Sequence, residues 1–450
     1  MERLLRFGFS VFLLILLAFG STAAADTGDI IAPSDPAHPA VDSGWQAGTC
    51  NVEPCSIATP ERFFETAGAH PQWGFTQFII KHSTNGAMET PEGVLKTVRV
   101  DLPVGLSVNP GATVRCTQTQ FDAEACPLGS KVGRSEVWVS VAGVVFPPQE
   151  GVTEVPVYNV VPQAGEPARF GLKLAGNSVY LEGDVDWAGN FHEGFTIHVP
   201  AVLPTALGTL LEPIGGEPGV ILKNRLSFEG RSGDGTFITT PTTCFGPAYA
   251  PDWVPGELPA GPSGSLYSTF LRADSAEEPD PEFPTGSSFF ESPIPPLSES
   301  GGPGTEPKDC DSIPYEPSLE VGPGTEQTNS PAAAEVDVEV PHLLPDYPAE
   351  ENEQDSSQTK AATVTLPVGM GINPSAANGL QVCTDEQFGR GTTNPVACPP
   401  ASIIGQATIE SPPLEDQLEP QPEEDLEGNV YVGQQLSRDP LSGDEYRIFI

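Results

Sequence analysis

Short runs in which apolar and polar residues alternate dominate the sequence. Successive side chains of a strand point to opposite sides of a sheet, so this alternation predicts strands with one buried and one solvated face. Clusters of Gly, Pro, Asn and Ser separate the runs, as is typical of antiparallel strands joined by turns. The pattern predicts an all-β fold, and we expect it to form tandem antiparallel β-sandwich units. The clearest runs are residues 75–81, 96–103, 136–146, 155–161, 168–175, 178–187, 191–199, 225–231, 268–274, 334–340 and 361–367.

Two of these runs predict a hairpin between residues 179 and 199. A three-residue loop at residues 188–190 would place Trp187 opposite Phe191 and would keep both apolar sets on one face. A two-residue loop would turn the two apolar sets to opposite faces. We therefore expect the three-residue register.

One nine-residue stretch occurs twice, as LPVGLSVNP at residues 102–110 and as LPVGMGINP at residues 366–374. Both copies continue to a Cys-Thr-x-x-Gln-Phe segment, then to a Cys-Pro pair and a further strand-like run. The threonine and the glutamine three residues later can form a capping box, which predicts one short helical turn in each copy. The pairs are Thr117 with Gln120 and Thr384 with Gln387.

A weaker match extends the repeat, because residues 155–174 resemble residues 428–450. In the first copy a strand pair follows this segment, whereas the second copy stops at Ile450, so we expect the second unit to be incomplete. We divide the chain into a signal peptide at 1–25, an N-terminal segment at 26–59, a first β-sandwich unit at 60–275, an irregular linker at 276–310 and a truncated second unit at 311–450.

The first 25 residues have the three parts of a secretory signal. Two arginines precede an apolar run, and small residues end it, so we expect cleavage between Ala25 and Asp26. A membrane anchor is the alternative, but the apolar run is short for a span of about 20 residues. We therefore predict a secreted or cell-surface protein with no membrane span after cleavage.

The charge of the chain is strongly acidic, with 61 Asp and Glu against 20 Lys and Arg and a formal net charge of −41. Such a surface repels phosphate backbones, which excludes nucleic acid as an expected partner. It would tolerate cationic partners or divalent ions, although solubility of an exported chain explains it as well. Residues 251–330 are rich in Pro, Gly, Ser and acids, so we expect irregular or disordered chain there, with only residues 267–274 pairing as a strand.

Eight cysteines in an exported chain predict four disulfides. Each copy of the repeat holds two cysteines around its capped turn, which favours local pairing. We expect the pairs Cys116–Cys126, Cys383–Cys398, Cys50–Cys55 and Cys244–Cys310. Metal binding is the alternative, but the spacings are not those of zinc sites and the histidines do not cluster near the pairs.

No motif in the sequence supports a reaction or a cofactor. The acidic residues 183–190 suggest a calcium loop, but Ala188 and Phe195 stand where ligands are needed, so a hairpin end is the better interpretation. Asp186 would face His192 across that hairpin, as a solvated cross-strand pair or as a group that binds a metal or moves a proton. Five tryptophans could supply a stacking platform for sugars or could belong to the core: Trp45, Trp73, Trp138, Trp187 and Trp253.

Several motifs together resemble those of a group of long, uncharacterised exported proteins of high-GC Gram-positive bacteria. They include LPxGLxxNPxA, CTxxQF, CPxxSxVG, PVYNxxPxxGEPARFGL, TTPTTC and DCDSIPYEPSLEV. The resemblance covers most of residues 60–450 and implies a β-rich protein built from repeats of this unit. Members of the group extend beyond the point where this sequence stops, and no catalytic residue carries over from them.

We therefore predict a secreted or cell-surface modular protein of structural or adhesive type, without catalytic activity, cofactor or metal. Its expected partners are cell-wall or extracellular glycan or protein. A carbohydrate-binding surface module is the main alternative, and an extracellular hydrolase is the third.

Overall fold

A computed structural model describes a large part of the chain, and structural statements below concern those residues. They are 30–32, 44–54, 59–103, 105–185, 192–211, 217–232, 235–242, 244, 269–277, 290–291, 308–341, 353–357, 359, 379–390, 392, 394–410, 426–439 and 447–450.

The described chain is almost entirely β-structure, as predicted. Its strands up to residue 291 are β1 (Trp45–Cys50), β2 (Trp73–Ile79), β3 (His82–Asn85), β4 (Met88–Pro91), β5 (Leu95–Asp101), β6 (Ser107–Val108), β7 (Lys131–Val141), β8 (Val144–Phe146), β9 (Glu154–Asn159), β10 (Arg169–Leu174), β11 (Asn177–Val185), β12 (Glu193–His198), β13 (Gly219–Glu229), β14 (Arg231–Ser232), β15 (Gly235–Thr236), β16 (Ile238–Thr239), β17 (Phe270–Ser275) and β18 (Phe290–Glu291). Two α-helices belong to the same region, α1 (Gln118–Asp122) and α2 (Leu203–Leu211).

One 12-stranded antiparallel sheet contains most of these strands, in the order β1-β2-β13-β7-β9-β10-β11-β12-β5-β17-β18, with β8 paired to β7. The sheet curls until its two ends nearly meet. The Nε1 of Trp45 in β1 donates to the carbonyl oxygen of Thr269, directly before β17, at 3.1 Å. The first unit is therefore one large, nearly closed antiparallel sheet and not clearly a sandwich of two sheets. Alternating burial is the same for two facing sheets and for one sheet wrapped around its own core. The choice here follows from the unbroken ladder and from β-bulges such as that between Ile221 and Lys223, which bend strands.

The core lies inside this curled sheet. Val98, Val157 and Leu181 are among the buried apolar side chains that it contains, and α2 adds Leu203 and Leu207. Burying a side chain of this size stabilises the fold by about 1.5–3 kcal/mol. The core therefore depends on strands that are distant in sequence.

The hairpin of β11 and β12 has the predicted register. Leu181 pairs with Ile197, and Val185 pairs with Glu193, in line with the three-residue loop. The loop itself, residues 186–191, lies outside the described residues.

The second copy contains β21 (Ile403–Ile409), β22 (Leu426–Gly433), β23 (Arg447–Phe449) and α3 (Asp385–Phe388), and a separate hairpin of β19 (Ser318–Pro323) and β20 (Ala334–Glu339) precedes it. The expectation that only residues 267–274 would pair as a strand between 251 and 330 is wrong, because β18 and β19 also pair. The three strands β21, β22 and β23 form a sheet of their own, and the predicted strand at residues 361–367 lies outside the described residues.

The repeat has the same local structure in both copies. Both capping boxes are formed, by Thr117 with Gln120 and by Thr384 with Gln387, as predicted. A bulge occurs at equivalent places: Lys131 and Gly133 pair with Tyr158 and Val157, while Ile403 and Gly405 pair with Tyr431 and Val430. Strands β21, β22 and β23 are thus the counterparts of β7, β9 and β10.

Part of the region assigned to the second unit is attached to the first. The amide of Asp355 donates to the carbonyl oxygen of Gly68 at 2.6 Å, and the amide of Ala67 donates to that of Lys308 at 2.9 Å. A disulfide joins Cys244 to Cys310 close to this contact. The first unit is therefore in contact with residues 308–313 and 353–357.

Candidate functional site

A buried cluster of charged side chains lies on the wall formed by β12, β5 and β17. At its centre is Asp101, which is only 1% exposed. Its Oδ1 accepts from Nε of Arg99 at 2.7 Å and lies 3.2 Å from Nε2 of His192, while its Oδ2 accepts from a guanidinium nitrogen of Arg272 at 2.9 Å. Strands β5 and β17, together with His192 directly before β12, thus supply one carboxylate with three nitrogen partners.

The strand geometry explains why these groups meet. Arg99 and Asp101 are two residues apart in β5, so they share one face, while Val98 and Val100 point into the core. Arg99 pairs with Thr196 of β12 and with Arg272 of β17. Gly194 provides the space, because a Cβ at this residue would lie 1.8 Å from a guanidinium nitrogen of Arg99.

Arg99 also binds a second carboxylate, that of Asp184 in β11. One guanidinium nitrogen donates to Oδ1 of Asp184 at 2.8 Å, the other contacts Oδ2, and Thr196 Oγ1 accepts at 3.2 Å. Burial lowers the pKa of Arg99, but the hydrogen bond and charge of Asp184 and the charge of Asp101 raise it above its usual range. Burial likewise raises the pKa of Asp101, but the hydrogen bond from His192 and the charges of Arg99 and Arg272 outweigh this and lower it well below its usual range. Both groups are therefore charged at neutral pH.

Glu193 lies beside this cluster on β12. Its Oε2 accepts from the amide of Val108 at 3.1 Å, and its own carbonyl oxygen accepts from the amide of Leu102 at 2.9 Å. Burial raises the pKa of Glu193 to about 8, and the hydrogen bond from Val108 opposes this only in part. Glu193 thus attaches the segment around Leu102 and Val108 to the sheet.

The Asp101–His192 pair has the spacing of a base and the carboxylate that orients it. However, two arginines hold the carboxylate, and the imidazole is only 3% exposed. A catalytic base must reach a proton of the substrate, directly or through one water. The described contacts make this cluster a structural ion network. Within the part of the chain that the structure describes, no three His, Cys, Asp or Glu are grouped so that they could hold a metal ion.

Three of the predicted disulfides are present: Cys116–Cys126, Cys244–Cys310 and Cys383–Cys398. Cys50 is disulfide-bonded as well, and its predicted partner Cys55 lies outside the described residues. Asp186, the predicted partner of His192, lies outside them too. Sequence reasoning missed Asp101 as the partner, although charged residues within the apolar runs 96–103 and 268–274 were a signal for it.

The described tryptophans each contact another residue of the chain. Trp45 is buried and hydrogen-bonded to Thr269. The guanidinium of Arg134 lies 5.8 Å from the ring centre of Trp73, and the ammonium of Lys223 lies 4.4 Å from that of Trp138. Trp187 and Trp253 lie outside the described residues. Of the three described rings, Trp45 is buried, while Trp73 and Trp138 are partly exposed with a cation of the protein beside each.

The second copy presents a different candidate site, an exposed apolar sheet face. Ile404, Ile409 and Ile448 are 45%, 50% and 52% exposed. Their counterparts in the first copy, Val132, Val137 and Phe170, are 0%, 1% and 1% exposed inside the curled sheet. We call the surface formed by Ile404, Ile409, Val430, Ile448 and Ile450 the open face.

The outer edge of β21 also has room for another strand. In the first copy β13 pairs with β7 at this edge, and a Cβ at Gly133 would lie 2.1 Å from the carbonyl oxygen of Ser227 in β13. At the equivalent Gly405, a Cβ would contact only Val430 among the described residues, at 3.6 Å. The glycine that admits a neighbouring strand is therefore present in the second copy, where the described residues place no strand beside it.

In comparisons with protein-family models, with curated proteins and with solved structures, no match to this chain was found. No helix among the described residues is long and apolar enough to cross a membrane.

Proposed function

We propose that this chain is an exported, non-catalytic protein of structural or adhesive type, and that copies of it join through their second units. The contact consists of the open face and the outer edge of β21. The signal-like N-terminus, the disulfides and the acidic composition support export.

The open face carries the proposal. Contiguous exposed apolar surface marks interaction sites in soluble proteins. The open face has no charged side chain, although the chain as a whole carries a formal charge of −41. Its counterpart in the first copy packs against other strands, so the chemistry of the face suits burial against a sheet. A second copy supplies an identical apolar face, and pairing of the two sheets edge to edge would give one wider sheet that can curl over both faces, as the first unit does.

The edge of β21 supplies the second element of the contact. An unpaired strand edge is a template for pairing with another chain. Two β21 strands can pair antiparallel about a two-fold axis, which is the commonest symmetry of homodimers. Gly405 leaves the partner backbone the same space that Gly133 leaves for β13.

Sedimentation velocity of the chain over a concentration series at about 0.15 M salt, where distant charges are largely screened, tests the proposal. We expect reversible association of the unchanged chain and its loss in Gly405→Val, because the added side chain would meet the backbone of the incoming strand. Thr408→Val is the matched control, because Thr408 is exposed in the same strand and alternates with Ile409, so its side chain lies on the opposite side of the sheet from the open face. A chain that stays monomeric throughout, or a Gly405→Val variant that associates as strongly as the control, would contradict the proposal.

A further inference from the structure

The interior of the curled sheet is not completely filled. A cavity of about 80 Å³ lies beneath the segment that contains Leu102, Pro103, Leu106 and Val108. In closed sheets eight strands enclose a space that side chains just fill, and wider sheets leave room for ligands. The Trp45–Thr269 hydrogen bond connects β1 to β17, and the sheet counts ten strands from β1 to β17 inclusive. The space is therefore a consequence of the width of the sheet.

The walls of this cavity are apolar. Aromatic rings form one side, with the ring centre of Phe170 5.6 Å from that of Phe195 and 5.5 Å from that of Phe228. Among the residues that the structure describes, no charged side chain lines the cavity, and threonines are the only lining residues with a polar side chain. A bound water needs two to four polar partners, so an apolar cavity of this kind stays dry and accepts apolar molecules.

A second cavity of about 50 Å³ adjoins the first. Leu181, Ile197 and Leu226 line both, so these side chains lie between the two cavities. The second cavity extends toward α2, where Leu203 lines it. Rotation of one leucine would therefore lengthen the space for a longer apolar chain.

The cover over the larger cavity is held by few contacts. Strand β6 pairs with β16 over two residues only, and Glu193 accepts hydrogen bonds from the amides of Leu102 and Val108. Segments with few backbone hydrogen bonds open locally at low free-energy cost. This cover is the natural entrance.

We propose that the two adjoining cavities, of about 80 and about 50 Å³, together form a binding site for one small, uncharged apolar molecule, with the dimensions of a single aromatic ring or a short branched alkyl chain. The ligand enters under the β6–β16 cover and packs against Phe170, Phe195 and Phe228. Burial of its apolar surface provides the affinity. A charged ligand of the same size is excluded, because the lining offers no ion partner.

Toluene titrations followed by protein NMR and by thermal unfolding test this site. We expect saturable shifts of resonances from the lining residues and a rise of the unfolding temperature that follows ligand concentration. Benzoate, which has the same ring and a charge, should give neither effect. Toluene shifts that do not saturate, or no shifts at all, would overturn the proposal.

Three lining variants locate the binding. Ala47→Leu places a larger side chain in the cavity and should weaken toluene binding by at least about tenfold. Thr76→Ile fills the same space from β2 and serves if Ala47→Leu does not fold. Leu106→Ala enlarges the cavity and should admit naphthalene. Toluene binding that is unchanged in the filled variant would place the ligand elsewhere and overturn the proposal.

Discussion

The two copies of the repeated unit differ in what lies against one face of their sheets. In the first copy, Val132, Val137 and Phe170 are buried by strands that close the sheet around its core. In the second copy, the equivalent Ile404, Ile409 and Ile448 are about half exposed. The comparison teaches that the strands and the capped turn of this unit form without closure of the sheet. Burial of its apolar face requires that closure.

The opposite, outer side of the sheet is similar in both copies. The amide of the first cysteine donates to the facing strand in each copy, from Cys116 to Asn159 and from Cys383 to Val432, both at 2.8 Å. The cysteine itself is fully buried in both. This side is built in each copy by the repeated unit itself, so it forms with or without the rest of the sheet.

An exchange of side-chain size maintains this outer side. In the first copy, a Cβ at Gly171 would lie 2.7 Å from Phe121, and Val160 fills the adjacent space. In the second copy, Phe449 replaces that glycine and stacks on Phe388 with ring centres 4.7 Å apart, while Gly433 replaces the valine. The two clusters have different side chains but the same position between helix and sheet.

The largest predicted effect comes from the ion network of the first copy, whose Arg99 and Asp101 are replaced by Thr363 and Thr365 in the repeat. Asp101→Asn should destabilise the first unit by about 3–5 kcal/mol, because it leaves buried arginines without their counter-charge. Chemical denaturation measures the loss. The matched control Asp184→Asn removes a half-exposed partner of Arg99 and should cost about 1 kcal/mol or less. Equal losses would show that burial does not set the strength of this network.

The size exchange gives the second prediction. Gly171→Phe should destabilise the first unit by about 2–3 kcal/mol, because the new ring overlaps Phe121. Adding Val160→Gly reproduces the pair found in the second copy and should recover part of the loss. A double-mutant cycle measures the coupling. If the two losses simply add, the exchange is not compensatory.

The third prediction concerns pH and separates the two acids of the first unit. The pKa of Glu193 is raised to about 8, so its ionisation disfavours the fold, and stability should fall as the pH rises from about 4.5 to 8. The pKa of Asp101 is lowered, so its contribution is present above its usual pKa and is lost in acid. Glu193→Gln should therefore reduce the fall in the free energy of unfolding between pH 5 and 8 by about 1–2 kcal/mol. It should leave the loss of stability in acid unchanged. Urea titrations of the unchanged chain and the variant across this pH range are the measurement. The same dependence of the free energy of unfolding on pH in both would refute the role of Glu193.

The smallest effects should be the same in the two copies. Thr117→Ala and Thr384→Ala each remove a capping box, at a cost of about 1 kcal/mol to the local helical turn. Hydrogen exchange of the amides in α1 and α3 measures this. A loss confined to the first copy would mean that the outer side of the sheet does depend on its closure.

The sequence predicted the features that depend on near neighbours. Alternation located β5, β11 and β12, the repeat located both capped turns, and the cysteine positions suggested the local disulfides. Helix α2 was not predicted, although Leu203 and Leu207 have helical spacing. The curled sheet and the ion network were also missed, because β5 and β17 are far apart in sequence and nothing local indicates that Asp101 meets Arg272.

Hydrogen exchange of the whole chain, followed by mass spectrometry at a concentration where it is monomeric, tests the central claim most directly. The account predicts that amides of β7 and β9 exchange at least about a hundredfold more slowly than those of β21 and β22, because only the first pair lies in a sheet closed around a core. Equal protection of the two pairs would contradict it, since the second copy would then be as fully enclosed as the first.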